Sequence, residues 1–162
     1  MYENTRKNLY KRIATTTVDV KIENNLSSFL IPTYEISFSK EDLVSQTAQN
    51  ICKNYKDNED KVIQIQKYIK NNIKYDYTFT NKLNKSIPKN YLPNSNKTLL
   101  TKKGVCYDTA SLFAAMCRSQ NIPCIIEKGY YKGIYHAWNK VYINNKWYKV
   151  DPSIPITKNY FI

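Results

Sequence analysis

The feature that most constrains this chain is the pair Asn144-Asn145. It separates two runs, residues 134–143 and 146–151, that are rich in Tyr, Val, Ile and Trp. Asparagine tolerates positive φ, so two asparagines between such runs predict a two-residue hairpin turn. Turn length then sets the register. Counting back from Ile143 opposite Lys146 puts Trp138 opposite Asp151 and His136 opposite Ser153. Side chains alternate along a strand, so His136 and Asp151 fall on one face as diagonal neighbours, with backbones roughly 7–8 Å apart. A three-residue loop would put them on opposite faces.

A helix precedes this hairpin. Ala110, Phe113, Ala114 and Cys117 recur at i, i+3, i+4, i+7, with Leu112 and Met116 beside them. Asp108 falls in the predicted first turn, where a negative charge suits the helix dipole. Asn121-Ile122-Pro123 closes the segment, since the residue before a proline resists helical geometry. Cys106 therefore starts the helix. There the positive end of the dipole and the unpaired N–H groups favour a charged sulfur. The same N–H groups can stabilise an oxyanion.

A thiol, an imidazole and a carboxylate in this order have the makings of a nucleophilic triad. Each member alone has a plainer explanation. A cysteine in an apolar helix is usually just buried, a strand histidine often packs, and an aspartate before proline often forms a turn. A helix-start Cys106, a strand His136 and a same-face Asp151 together are harder to explain that way.

The pattern GVC, a helix, HAW, and a hairpin ending in W-x-x-x-DPS closely resembles the transglutaminase-like superfamily, bacterial type. Gly104, Cys106, His136, Ala137, Trp138, Trp147, Asp151 and Pro152 fall where the family motif has them. The resemblance covers the second half firmly and the segment IKYDYTF more loosely. It implies a papain-like α+β core in which Cys106, His136 and Asp151 form the triad. Ser153 stands where threonine is common. Animal transglutaminases carry a tryptophan upstream of the cysteine as an oxyanion donor. Both tryptophans here lie downstream, so the Cys106 backbone N–H is the first expected donor and the second is unassigned. Trp138 and Tyr107 are candidate substrate-binding residues.

The 162 residues suit one domain, read as an N-terminal arm or strands over residues 1–38 packed on a catalytic core over 39–162. Net charge is +12, which draws the protein toward anionic partners, an anionic cell-envelope polymer among them. Arginines number only three, Arg6, Arg12 and Arg118, so bidentate base readout is scarce and nucleic acid is disfavoured. The four cysteines form no CxxC and there is one histidine, which argues against a zinc site. No metal or other cofactor is expected. Cys117 and Cys124 can approach across the Pro123 turn. No apolar run reaches transmembrane length, and Met1 to Lys11 lacks the apolar core of a signal peptide. An excised mature domain, extracytoplasmic or at the cell surface, is favoured over a cytoplasmic protein.

In chain order, residues 13–38 alternate loosely and read as one or two strands or a lead-in arm. Ser39-x-x-Asp42 resembles a capping box opening a helix to about Tyr55. A second helix spans about Glu59 to Asn72, with Val62, Ile65, Ile69 and Ile73 on one stripe. Residues 78–103 show little periodicity and read as a long loop forming one wall of a cleft. The functional expectation is a cysteine acyl-transfer enzyme acting on peptide or amide bonds. Hydrolysis is favoured over amine transfer. The competing expectation is a non-catalytic module of the same fold that binds an anionic envelope polymer or a protein partner.

Overall fold

A computed structural model describes residues 2–5, 9–12, 25–82, 91–131 and 133–153. Strands β1 (Tyr2–Thr5) and β2 (Leu9–Arg12) pair as an antiparallel hairpin. The helical part comprises α1 (Leu43–Cys52), α2 (Asn58–Asn72), α3 (Tyr77–Lys82), α4 (Ser95–Thr101) and α5 (Cys106–Ser119). Short strands β3 (Lys74–Tyr75) and β4 (Lys103–Gly104) pair in parallel. Strands β5 (Cys124–Tyr131), β6 (Ile134–Ile143) and β7 (Lys146–Val150) form an antiparallel sheet with β6 in the middle. The fold is α+β.

Helix α5 is the hub. Every residue from Cys106 to Arg118 is buried, because α1, α2 and α4 cover it on one side and β5 and β6 on the other. A helix apolar nearly all round belongs in a core. Phe113, Leu112 and Met116 join Val44 of α1, Val62, Ile65 and Ile69 of α2, and Val141 of β6 in one continuous cluster. Arg118, in the last turn, is buried, and among the described residues no carboxylate pairs with it. Its guanidinium donates to the carbonyls of Cys124 and Ile31, tying the helix end to β5.

The hairpin follows its turn chemistry. Asn144 and Asn145 have φ of 51° and 64°, Ile143 pairs with Lys146, and the β6–β7 ladder runs to Asn139 opposite Val150. Buried Ala137, Asn139, Val141 and Ile143 face α5, while Trp138 and Tyr142 lie on the half-exposed face. His136 belongs by alternation to that half-exposed face, not to the one packed on the Cys106 helix. β7 stops at Val150, so among the described residues the end of β6 that bears His136 is paired only with β5.

Four local expectations are corrected. Asp42 is itself the N-cap of α1, accepting from the Ser45 N–H at 2.9 Å, so the helix opens at Leu43 and not at Ser39. That helix ends at Cys52, where the Tyr55 N–H closes a turn on the Cys52 carbonyl. Residues 34–38 form no strand; Ile36 is buried through a turn with Thr33, and residues 13–24 lie outside the described residues. The stretch 78–103 contains most of α3 and all of α4. Helix α4 is only seven residues long, too short to show periodicity, but Asn94 caps it by accepting from the Lys97 N–H at 2.9 Å. Residues 83–90 lie outside the described residues.

Candidate active site

The parallel pair β3–β4 brings the segment after α2 beside the start of α5. The Asp76 N–H donates to the Gly104 carbonyl at 3.1 Å, two residues before Cys106. Gly104 is required by space. A Cβ there would lie 2.7 Å from Asp108 Cβ and 3.1 Å from Thr98 Cγ2. Asp108 earns this closeness by accepting from the Val105 N–H at 2.9 Å and from the Tyr91 hydroxyl at 2.7 Å. Its burial raises the carboxyl above its usual range, against the lowering effect of those two bonds.

Val105 is the N-cap of α5 and makes no side-chain cap bond. Ser, Thr, Asp or Asn at that position would consume a first-turn N–H. Valine leaves those donors for another acceptor. Cys106 lies directly at this end, 5% exposed, in a small cluster with Val105, Tyr107, Ala110 and Ala137.

His136 Nε2 donates to Asp151 Oδ2 at 2.5 Å. The Cys106 side chain is the second hydrogen-bonding partner of the ring. The bond to Asp151 and then the bond to Cys106 raise the imidazole from 6.5 to about 10, against desolvation. Burial alone would raise the Asp151 carboxyl, but the bonds from His136 and Ser153 hold it below its usual value. Ser153 donates to Oδ1 through its hydroxyl at 2.6 Å and its N–H at 3.0 Å, so the two carboxylate oxygens have separate tasks.

Trp138 stacks beside His136, with ring centroids 6.2 Å apart and an interplanar angle of 29°. Its indole N–H donates to Glu127 at 2.8 Å, and Lys149 sits 4.1 Å from its ring centroid. Gly129, opposite His136, makes room for this ring; a Cβ there would lie 3.0 Å from it. Tyr107 is 4% exposed, and its hydroxyl donates to Glu35 at 2.6 Å with Lys128 nearby. It therefore offers little surface to a substrate and reads as an anchor of the helix start. Burial and the Glu35 bond push its hydroxyl up to about 12.

Cys117 and Cys124 are hydrogen-bonded neighbours, and with Cys52 they are buried and free. Among the described residues no group of His, Cys, Asp and Glu is arranged to hold a metal, and no helix is long and apolar enough to cross a membrane. Sequence reasoning missed Gln66, whose side chain reaches the Asp151 carbonyl, and Asn139, an amide in the buried row of β6. For Asn139 there was a signal: a polar residue breaks an otherwise apolar alternation at 137, 141 and 143. For Gln66 there was none, since it sits beside an apolar stripe like many helix glutamines.

Comparison with known proteins matches residues 45–152 to the family model of the transglutaminase-like superfamily. The chain belongs to that superfamily. This transglutaminase-like chain is 32% identical over 114 residues to the UPF0252 protein MJ1282 of Methanocaldococcus jannaschii, covering 64% of the chain and 32% of that protein. It is 37% identical over 65 residues to the kyphoscoliosis peptidase of Mus musculus, covering 33% of the chain and 10% of the peptidase. The chain thus spans a third or less of the length of these relatives. Its fold is similar to that of a proposed cysteine protease from Cytophaga hutchinsonii, with a TM-score of 0.66 and 23% identity, over 87% of this chain and 46% of that one.

Proposed function

We propose that this transglutaminase-like protein is a cysteine acyl-transfer enzyme that hydrolyses peptide or amide bonds, with Cys106, His136 and Asp151 as its catalytic residues. The observation that carries the reading is the 2.5 Å bond between the His136 imidazole and the Asp151 carboxylate, with the Cys106 side chain as the ring's second hydrogen-bonding partner. An imidazole raised to about 10 keeps its proton at neutral pH, and its natural partner is a thiolate. That sulfur attacks the substrate carbonyl. A C–S bond forms, and the oxygen takes the electron pair as an oxyanion facing the uncapped first turn of α5. The intermediate collapses, the C–N bond breaks, and His136 gives its proton to the departing amine. Water then loses a proton to His136 and attacks the thioester. The C–S bond breaks, the acid leaves and the ion pair is restored. Asp151 holds the imidazole in orientation and stabilises its charge.

An amine in place of water would give cross-linking by the same steps. The peptidase and protease names among similar proteins support hydrolysis. The net charge of +12 supports an anionic substrate or envelope polymer, and with it an extracytoplasmic setting. The deciding experiment assays peptide hydrolysis and amine incorporation side by side, with Cys106→Ala as control. Hydrolysis that Cys106→Ala abolishes is the expected result. Activity surviving in that folded variant would place the nucleophile elsewhere, and none in the wild type across a broad peptide library would favour a binding module.

A further inference from the structure

We propose that Asn139 is a positioning residue whose buried amide ties the strand carrying His136 to the helix carrying Cys106. The proposal rests on the acyl-transfer reading above. Asn139 is fully buried, and its Nδ2 donates to the Ala110 carbonyl of α5 at 3.0 Å and to the Ile125 carbonyl of β5 at 3.2 Å. The same nitrogen lies 3.7 Å from the Cys124 sulfur. Only an NH₂ can face two carbonyl oxygens, so the amide orientation follows from chemistry. Its Oδ1 is left buried without a partner.

That orphaned oxygen is informative. Ala137, Val141 and Ile143 fill the same row of β6 with apolar side chains. A position needing only volume is served better by valine or leucine, which bury no unpaired acceptor. What the amide adds is a single point that joins three elements, α5, β5 and β6. It acts where leverage on the site is short. Ala110 is about one helical turn, roughly 6 Å, beyond Cys106. Asn139 is three residues, roughly 10 Å, from His136 along β6. Asn139 opposite Val150 is also the last rung of the β6–β7 ladder. Beyond it, among the described residues, the strand end bearing His136 has only β5 at its side, and the Asn139 amide holds β5 as well. Without the clamp this end can shift against α5, and the imidazole–sulfur contact shifts with it.

The test follows iodoacetamide alkylation of Cys106 from pH 5 to 9, with the labelled site located by mass spectrometry. Wild type is expected to react at pH 6 much faster than a free thiol, and His136→Ala to remove that low-pH reactivity. Asn139→Leu keeps the branched heavy-atom shape and loses both donors; in the folded variant it should lower the low-pH rate roughly 10- to 100-fold. Asn139→Ser, which keeps one donor, should fall between. Wild-type Cys106 reacting as an ordinary thiol would sink the acyl-transfer reading and this proposal together. A low-pH rate that depends on His136 yet is unchanged in folded Asn139→Leu would overturn the proposal alone. Unfolding of both Asn139 variants would make the residue a plain core member and also overturn it.

Discussion

Gln66, on the second helix, donates its Nε2 to the backbone carbonyl of Asp151 at 3.0 Å across 85 positions of sequence. The bond pins the main chain where β7 ends and the carboxylate turns toward His136. Gln66 is 8% exposed. Gln66→Leu leaves the Asp151 carbonyl without this donor and is expected to lower unfolding free energy by about 1–3 kcal/mol, read by urea titration. It should also lower kcat more than it changes KM, because the displaced group acts on the imidazole and not on substrate. A kcat equal to wild type would confine Gln66 to the scaffold.

Asp151→Asn keeps the shape of the side chain but supplies no charge for the imidazolium. In the serine-protease counterpart this change costs about 10⁴ in kcat. A loss of roughly 10²–10⁴ is expected here, smaller because a thiolate–imidazolium pair can persist without the carboxylate. Circular dichroism should show an unchanged fold, since Ser153 can still bond one side-chain oxygen. Turnover within twofold of wild type would remove Asp151 from the mechanism.

Stability should follow the charge states of the same pair. The folded-state pKa of His136 lies above its ordinary 6.5, at about 10, so its contribution is complete below 6.5 and is lost as pH rises toward 10. Asp151 is shifted down from 3.8, so its contribution is complete above 3.8 and is lost as pH falls through the lower folded value. The wild type is therefore expected to lose thermal midpoint between pH 7 and 10 relative to His136→Ala. Parallel curves for the two proteins across that range would contradict the raised imidazole.

Gly104→Ala places a methyl 2.7 Å from Asp108 Cβ. The neighbours are the capping carboxylate and Thr98 of α4, neither of which is a flexible chain end. The expected loss is about 1–3 kcal/mol from overpacking, with a further loss of turnover as the start of α5 is pushed aside. Unchanged stability by thermal melting would show that α4 can yield at this point.

The elements around the site were legible because their signals are local. The Asn144-Asn145 turn dictates the β6–β7 register, and Pro123 marks the break between α5 and β5. The start of α5 at Cys106 could be read from its apolar periodicity. Helix α4 was not legible, because seven residues carry too few turns to show a stripe and its cap is one asparagine. Tyr107 looked available beside Cys106, but packing against Glu35 and Lys128 takes its hydroxyl.

By itself the sequence named Cys106, His136 and Asp151 as candidate site residues, gave their order, and put His136 and Asp151 on a shared face, since each follows from residue type and short-range spacing. Only the tertiary structure decided how the sulfur meets the ring. His136 lies by alternation on the half-exposed face of β6, and the Cys106 side chain still reaches its ring. It also decided which groups hold the site: Gln66 on Asp151, Ser153 on its second oxygen, and Asn139 between helix and strands. These bonds join residues far apart in the chain, and a hydrogen bond between distant segments leaves no periodicity in either.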